Sequence, residues 1–225
     1  MTLAETTDKQ PAWEVKMRHV LVHVAAEGLH VTEMLSIVNP GDRTWIGTEA
    51  TGKRTTVSVP LPAGAHDLNA AGLPEGTMEI RDGKLVSAMP MKPGVTEFQL
   101  EYVVPSTDGK ADLTITAPAP VAQMYVFVPD DDSTVTTAAL DAMGVRKTGE
   151  GSKRAYKAAN LKAGQEAKLS FSGLKAHAAA EPGKKSDVRS SHLPHVAAAV
   201  GGGLVLLAAV TALLVRSSRK GAGQG

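Results

Sequence analysis

The side chains with the most distinctive chemistry in this sequence are histidine imidazoles and methionine thioethers. Met17, His19 and His23 lie at alternate positions of one stretch, so in a β-strand all three would point to the same side. Met89 and Met91 add two thioethers further along the chain. Imidazole nitrogen combined with thioether sulfur is a ligand set that suits copper. These five residues are therefore a candidate metal site.

The same residues also have a simpler interpretation as parts of an ordinary strand. The valines that alternate with His19 and His23 would then face the core, and the two imidazoles would lie on the solvated side. Met17 and Met34 would be core residues, because an unbranched thioether side chain fills irregular gaps well. We favour this structural interpretation and keep copper binding as the alternative.

Other candidate sites in the sequence are weaker. Residues 130–132 are three consecutive aspartates, but calcium loops use alternating oxygen ligands and a glycine at the bend, so a solvated turn is the better interpretation. His66-Asp67 could form part of a catalytic triad, yet no G-x-S-x-G motif accompanies it. The sequence also lacks a phosphate-binding loop and a dinucleotide fingerprint. We therefore expect no enzyme activity and no cofactor.

The elements that would position these residues are short strands with alternating apolar residues and frequent turn signals. Asp82-Gly83 predicts a type I′ turn between two of them, and Glu27-Gly28 predicts another hairpin turn. One segment, 137–143, could form a helical turn or two. The predicted strands are 13–25, 29–38, 44–47, 55–61, 78–81, 84–88, 95–104, 111–117, 121–128, 133–137, 145–148, 154–158 and 167–172.

About a dozen strands with turns every eight to twelve residues predict an all-β protein. The proline- and glycine-containing break after Pro105 divides the strands about evenly. We predict two tandem β-sandwich (Ig-like) units, 12–105 and 106–175, with one larger sandwich as the alternative. The nearly continuous apolar run at 121–128 predicts a central strand that is buried on both faces.

The C-terminal part has a different composition. Residues 196–215 contain no charge and, apart from Thr211, no polar side chain. A helix of this length spans roughly 30 Å, the thickness of a bilayer core. Residues 176–195 are rich in alanine, proline, serine and charge, which predicts a flexible stalk. We therefore predict a stalk, one transmembrane helix at 196–215 and a short basic tail at 216–225.

Orientation in the membrane follows from charge. The tail carries Arg216, Arg219 and Lys220 without an acid, which favours a cytoplasmic C-terminus and an extracytoplasmic, periplasmic β region. The first thirteen residues have acids and no apolar run, so they do not predict a signal peptide, and a cytoplasmic β region on a tail anchor is the alternative.

Two further features bear on partners. The span has small residues four apart, which could allow two helices to self-associate; the pairs are Ala197/Gly201 and Ala198/Gly202. The net charge is +1, which gives no indication of nucleic-acid binding, and the chain has no cysteine, which excludes disulfides and thiolate ligands.

Several segments together resemble a known kind of protein. They are VTEMLSIVNPGDRTW, TTVSVPLPAGAHDL, DGKLVSAMPMKPGVTEFQLEYVVP and NLKAGQEAKLSFSGL. In their order the chain resembles uncharacterised bacterial envelope proteins with a leader, a β-sandwich region and a C-terminal membrane helix. The resemblance implies this architecture and location. Because the edge strands and loops of stacked sandwiches offer extended surfaces for contacts, we predict a membrane-anchored, non-enzymatic binding or scaffold protein of the cell envelope that contacts another envelope protein. The alternative is an envelope copper-handling protein that uses the Met/His ligands.

Overall fold

The computed structural model describes residues 5–25, 27–50, 52–74 and 76–175. These residues form strands and turns and no helix, so the predicted all-β class is confirmed. Within them no helix is long and apolar enough to cross a membrane, and the predicted stalk, span and tail at 176–225 lie outside the described residues. The strands are β1 (Thr6–Thr7), β2 (Glu14–Val24), β3 (Gly28–Asn39), β4 (Thr44–Trp45), β5 (Thr48–Ala50), β6 (Lys53–Thr55), β7 (Val57–Pro60), β8 (His66–Ala71), β9 (Met78–Arg81), β10 (Lys84–Ser87), β11 (Gly94–Pro105), β12 (Lys110–Thr116), β13 (Val121–Pro129), β14 (Thr134–Thr136), β15 (Asp141–Thr148), β16 (Gly151–Leu161) and β17 (Glu166–Ser172).

Seven of these strands form one mixed sheet in the order β15-β16-β13-β2-β3-β11-β8. Its neighbours are antiparallel except for β13 and β2, which run parallel. Two three-stranded sheets, β7-β10-β9 and β12-β17-β14, contribute to the main hydrophobic core together with one face of the large sheet. Val22 and Leu100 of the large sheet belong to the same core cluster as Leu85 and Leu113 of the small sheets. The small sheets therefore cover that face.

The hairpin of β2 and β3 is the centre of the large sheet. The predicted hairpin is confirmed, since β2 ends at Val24 and β3 begins at Gly28, but Gly28 belongs to β3 rather than to the turn and pairs with Ala25. Gly28 has φ 149°, and a Cβ at this position would lie 2.1 Å from the carbonyl oxygen of Val104. Only glycine fits such a close approach between backbones.

A β-bulge near the start of β2 decides which side chains face the core. The register between β2 and β3 shifts between Val15 and Met17. Side chains alternate along a regular strand, so residues three positions apart would face opposite sides; the extra residue lets Val15 and Arg18 both be buried on the same face. The same shift places Arg18 and Val20 on the covered face and Met17 on the opposite face.

The large sheet crosses the predicted boundary at residue 105. It takes β2, β3, β8 and β11 from the first predicted unit, and β13, β15 and β16 from the second. β13 pairs directly with β2, with Val126 beside Val20, and one core cluster spans both parts. The described strands on both sides of residue 105 therefore share one sheet and one core cluster. The parallel pairing of β13 with β2 joins the parts before and after residue 105. The predicted boundary rests on local sequence patterns, which carry no information about pairing between distant strands.

Most predicted strands are confirmed, with two local corrections. The hairpin at Asp82-Gly83 is confirmed, and both residues have positive φ, 51° and 69°. The helical turn predicted at 137–143 is wrong, because β15 begins at Asp141 and pairs along β16 instead. Edge strand β8 was not predicted, because its sequence HDLNAA has little apolar alternation.

Candidate functional site on the open face of the large sheet

The large sheet has a second face, which we call the open face. The apolar cluster on this face consists of Tyr125, Phe127 and Ala155, with Met17 and Met143 packed against it. All five residues come from strands of the large sheet itself or its edge, and none comes from the small sheets. The central residues of the open face, taken from strand alternation and register, are Met17, His19, Leu21 and His23 of β2, Thr32, Met34 and Ser36 of β3, and Tyr125 and Phe127 of β13.

His19 is the most unusual residue of the open face. It is only 4% exposed, so the expectation of a solvated imidazole is wrong at this position. Its ring lies beside two aromatic rings of β13, with centroid distances of 5.6 Å to Tyr125 and 6.2 Å to Phe127. These rings, together with the flanking strands, exclude water from a side chain that the sequence pattern would leave exposed.

The Nε2 atom of His19 has no hydrogen-bond partner. Among the described residues it is the one buried side-chain nitrogen or oxygen atom in this condition. Buried polar atoms are nearly always paired, so an exception needs a physical explanation. Burial lowers the pKa of His19 and so favours the neutral imidazole, which has a free lone pair on one ring nitrogen.

Two thioethers lie on the same face as this imidazole. Met34 of β3 is directly opposite His19 in the register of the hairpin. Side chains that face each other across neighbouring strands have Cβ atoms about 4.5–5.5 Å apart. Met17 precedes His19 by two residues and points to the same side, where it packs against the aromatic cluster.

The other predicted ligands lie elsewhere. Met91 is buried in the main core, on the covered side, and forms backbone hydrogen bonds with Trp45. Met89 follows β10, and its carbonyl oxygen accepts a hydrogen bond from Thr56 Oγ1 at 2.7 Å. His23 is on the open face but four residues from His19, roughly 13 Å along a strand. The structure thus brings Met17 and His19 together and separates them from the remaining three.

His23 belongs to a polar group at the end of the hairpin. It is paired in register with His30, whose Nε2 lies 2.5 Å from Glu27 Oε1. The Nε2 of His23 lies 3.5 Å from Glu150 Oε2, and Lys153 Nζ lies 3.8 Å from the same oxygen. Burial, and next the nearby Lys153 cation, lower the pKa of His23. At neutral pH His23 is therefore mainly a neutral polar group.

A cleft of about 490 Å³ opens beside this polar group. Its walls include His23, Glu27, His30, Asp67 and Glu101. Nevertheless, in the described part of the chain no group of three or more histidine or acidic side chains is placed to hold a metal ion. The cleft is a polar concavity next to the open face.

The covered face holds a contrasting arrangement, a buried polar network. Arg18 and Glu33 are each 1% exposed, and Arg18 Nε donates to Glu33 Oε2 at 2.7 Å. Tyr102 donates its hydroxyl to the other carboxylate oxygen of Glu33. Arg18 Nη1 donates to the carbonyl oxygen of Thr116 at 2.8 Å, which connects the large sheet to a covering sheet. Burial, followed by the Glu33 carboxylate, raises the pKa of Tyr102 well above its usual value of 10.0.

Sequence reasoning missed this network, although a signal was present. Glu33 lies between Val31 and Leu35 at the same parity as these apolar residues, so it had to share their face. A charged residue at core parity indicates a buried ion pair. The same signal was present for its partner, because Arg18 shares the parity of Val20 and Val22, which face the core.

The two weaker motifs have ordinary structural settings. The Asp131 carboxylate accepts hydrogen bonds from the Ser133 amide at 3.0 Å and from Arg154 Nη2 at 3.2 Å. His66 Nδ1 lies 3.1 Å from Asp67 Oδ2, with both side chains substantially exposed. In the described residues no hydrogen bond joins His66 to a serine hydroxyl.

Comparison with known proteins adds little. No protein-family model and no curated protein sequence matches the chain. Among solved structures it is similar to an M1 zinc metallopeptidase from Deinococcus radiodurans, with 10% identity over 72% of this chain and 42% of that chain and a TM-score of 0.44. It is also similar to Legionella pneumophila aminopeptidase A, with 10% identity over 74% of this chain and 22% of that chain and a TM-score of 0.45. The chain thus spans less than half the length of either enzyme, and likeness this low supports no inference about its activity.

Proposed function

We propose that this chain is a non-enzymatic binding or scaffold protein of a bacterial envelope, anchored by the span at 196–215. Its β region presents the open face to another envelope protein. The observation that carries the proposal is that the small sheets pack against only one of the two faces of the large sheet. Small sheets cover one face, whereas the apolar cluster on the other involves only the large sheet's own strands and edge.

The composition of the open face is suited to protein recognition. Leu21, Thr32 and Met34 are half-buried side chains at its centre. Lys157 and Glu97, on flanking strands of the same sheet, supply charges of both signs around them. An apolar centre within a polar rim is the usual anatomy of a protein–protein interface.

Photo-crosslinking in a bacterial host tests this proposal. A photoreactive amino acid at Thr32 or Gln99 would be on the open face, and one at Asp112 or Lys168 would be on an exposed strand of a small sheet. We expect a defined adduct only from the open-face positions, with the same partner identified by mass spectrometry at both. Equal labelling from the small-sheet positions, or no adduct from any position, would contradict the proposal.

A pair of matched substitutions sharpens this experiment. Leu21→Arg puts a cation on the half-buried open face, whereas Ser170→Arg puts one on an exposed position of β17. We expect the first to abolish the adduct and the second to leave it unchanged. Loss of the adduct in both variants would indicate a general effect of added charge.

Membrane orientation needs a separate experiment. We propose an extracytoplasmic β region and a cytoplasmic tail, on the basis of Arg216, Arg219 and Lys220. Alkaline phosphatase fused at residue 12 should be active, and the same enzyme fused after Gly225 should be inactive. Activity only from the C-terminal fusion would reverse the orientation.

Copper handling in the envelope is the second candidate function. The observation that favours it is the orphan Nε2 of His19 on the same face as Met17. Titration of the chain with Cu(I) and Cu(II) tests this function directly. Tight one-to-one binding that is lost in the His19→Ala/His23→Ala variant would favour it over the scaffold function.

A further inference from the structure

We propose that His19 Nε2 and the thioether sulfurs of Met34 and Met17 form a Cu(I) site on the open face. This inference rests on the second candidate function and replaces its five-residue ligand set with a different one. It adds Met34 and leaves out His23, Met89 and Met91.

The first argument is the state of His19. Its Nε2 is buried and has no hydrogen-bond partner among the described residues, so no protein group occupies the position where a metal ion would bind this nitrogen. Two of the ring's neighbours are aromatic, Tyr125, whose hydroxyl donates to Gln123, and Phe127.

The second argument is the position of the two sulfurs. Met34 is directly opposite His19 across the hairpin, and Met17 is its neighbour on the same face of β2. The three side chains therefore start from adjacent points of one rigid sheet. Long thioether side chains can adjust around an ion without movement of the backbone.

The third argument concerns which metal fits. Imidazole and thioether are neutral ligands, and soft thioether sulfur selects Cu(I). A monovalent ion also costs less to bury beside aromatic rings than a divalent one, because the desolvation penalty rises with charge. Met17 and Met34 are only half-buried, which gives an ion a route from solvent to the buried nitrogen.

The test is anaerobic competition for Cu(I) between the full-length chain in detergent and a chromogenic chelator, with ascorbate as reductant. We expect one Cu(I) per chain. His19→Phe and Met34→Leu should each weaken Cu(I) binding by about tenfold or more. Met17→Leu should weaken it in the same direction. X-ray absorption of the loaded chain should show nitrogen and sulfur ligands together.

Matched controls use the ligands that the proposal leaves out. Met91→Leu, Met89→Leu and His23→Gln should change Cu(I) affinity by less than about twofold. Leucine conserves most of the volume of methionine, so Met34→Leu keeps the site testable even if His19→Phe disturbs the fold. Tryptophan fluorescence of Trp13 and Trp45, both buried, verifies folding in each variant.

The outcomes separate this site from the function on which it rests. If the chain retains no Cu(I), copper handling and this site are both rejected. If it binds Cu(I) with unchanged affinity in His19→Phe and Met34→Leu, copper handling stands and this ligand set is overturned. If His23→Gln or Met91→Leu causes the larger loss, the site lies elsewhere and the proposal is also overturned.

Discussion

Arg18 and His19 are neighbours in β2 whose polar side chains are buried on opposite faces of the same sheet. Arg18 is surrounded by acceptors, with Glu33 and the Thr116 carbonyl within 2.8 Å of its nitrogens. His19 lies beside the aromatic rings of Tyr125 and Phe127, and its Nε2 has no hydrogen-bond partner. The two residues differ little in exposure, 1% and 4%, so burial alone does not explain the contrast.

The difference lies in how completely each polar group is satisfied. A buried ion pair whose hydrogen bonds are all formed rigidifies the core. Removing only one of its two partners strongly destabilises the fold, because the other charge stays buried and unpaired. A buried ring nitrogen without a hydrogen-bond partner lowers the stability of the folded state, because it has lost its hydrogen bonds to water. The Arg18 network therefore has the features of a structural ion pair, and the unsatisfied nitrogen of His19 is the basis of the proposed metal site.

The largest effect should come from breaking the ion pair. Glu33→Gln leaves the Arg18 cation buried without its carboxylate, and we expect the free energy of unfolding to fall by about 3–5 kcal/mol. Urea denaturation followed by tryptophan fluorescence measures it. The matched control is Glu166→Gln, because Glu166 pairs with Lys168 at the exposed surface. The control should change stability by about 0.5 kcal/mol or less.

The same ion pair allows a stricter test. Replacing Arg18, Glu33 and Tyr102 together by Met, Leu and Phe removes every charge of the network. We expect this variant to recover most of the stability that Glu33→Gln loses, because apolar groups of similar volume often replace buried ion pairs without penalty. A variant that stays as unstable as Glu33→Gln would show that the network itself stabilises the fold.

Tyr102→Phe should have an intermediate effect. It removes the hydroxyl that donates to the Glu33 carboxylate, and a hydrogen bond to a charged group contributes about 1.5–3 kcal/mol. The pKa of Tyr102 is raised in the folded state, so its stabilisation is fully present below pH 10.0 and is lost as the pH rises through the folded pKa. Stability should therefore fall less steeply above pH 10.0 in Tyr102→Phe than in the unsubstituted chain. Equal alkaline slopes would contradict this assignment.

His19→Phe should have a smaller effect of opposite sign. Removing an unsatisfied buried nitrogen from an aromatic cluster should raise the metal-free stability by about 1 kcal/mol. The pKa of His19 is lowered, so its contribution is fully present above pH 6.5 and is lost as the pH falls through the folded pKa. Acid should therefore destabilise His19→Phe less than the unsubstituted chain. A clear loss of stability at pH 7 would mean that the imidazole is satisfied and structural.

The smallest effect is expected from Met34→Leu. Met34 is half-buried, and a volume-conserving apolar exchange usually costs less than about 1.5 kcal/mol. Thermal unfolding without metal should barely distinguish this variant from the unsubstituted chain, whereas added Cu(I) should stabilise only the latter. Equal stabilisation of both by Cu(I) would indicate that Met34 does not bind it.

Local patterns in the sequence predicted much of the fold. Alternation between Val20 and Val22 predicted the inward face of β2, and Asp82-Gly83 predicted a hairpin, because turn chemistry and side-chain period are local properties. The apolar run at 121–128 predicted a central strand, and β13 does lie between β16 and β2. Sequence also supplied the candidate ligands Met17 and His19.

The tertiary structure decided which residues meet. The parallel pairing of β13 with β2 joins strands from both sides of residue 105 in one sheet, and it places Tyr125 and Phe127 beside His19. The bulge after Val15 puts Val15 on the same face as Arg18, and tertiary packing brings Arg18 to Glu33 on that face. The register of the hairpin between β2 and β3 places Met34 opposite His19 on the open face, whereas Met91 lies in the main core on the covered face. These arrangements depend on contacts between residues that are far apart in the chain, whereas strand period and turn type depend only on residues that are adjacent in the sequence.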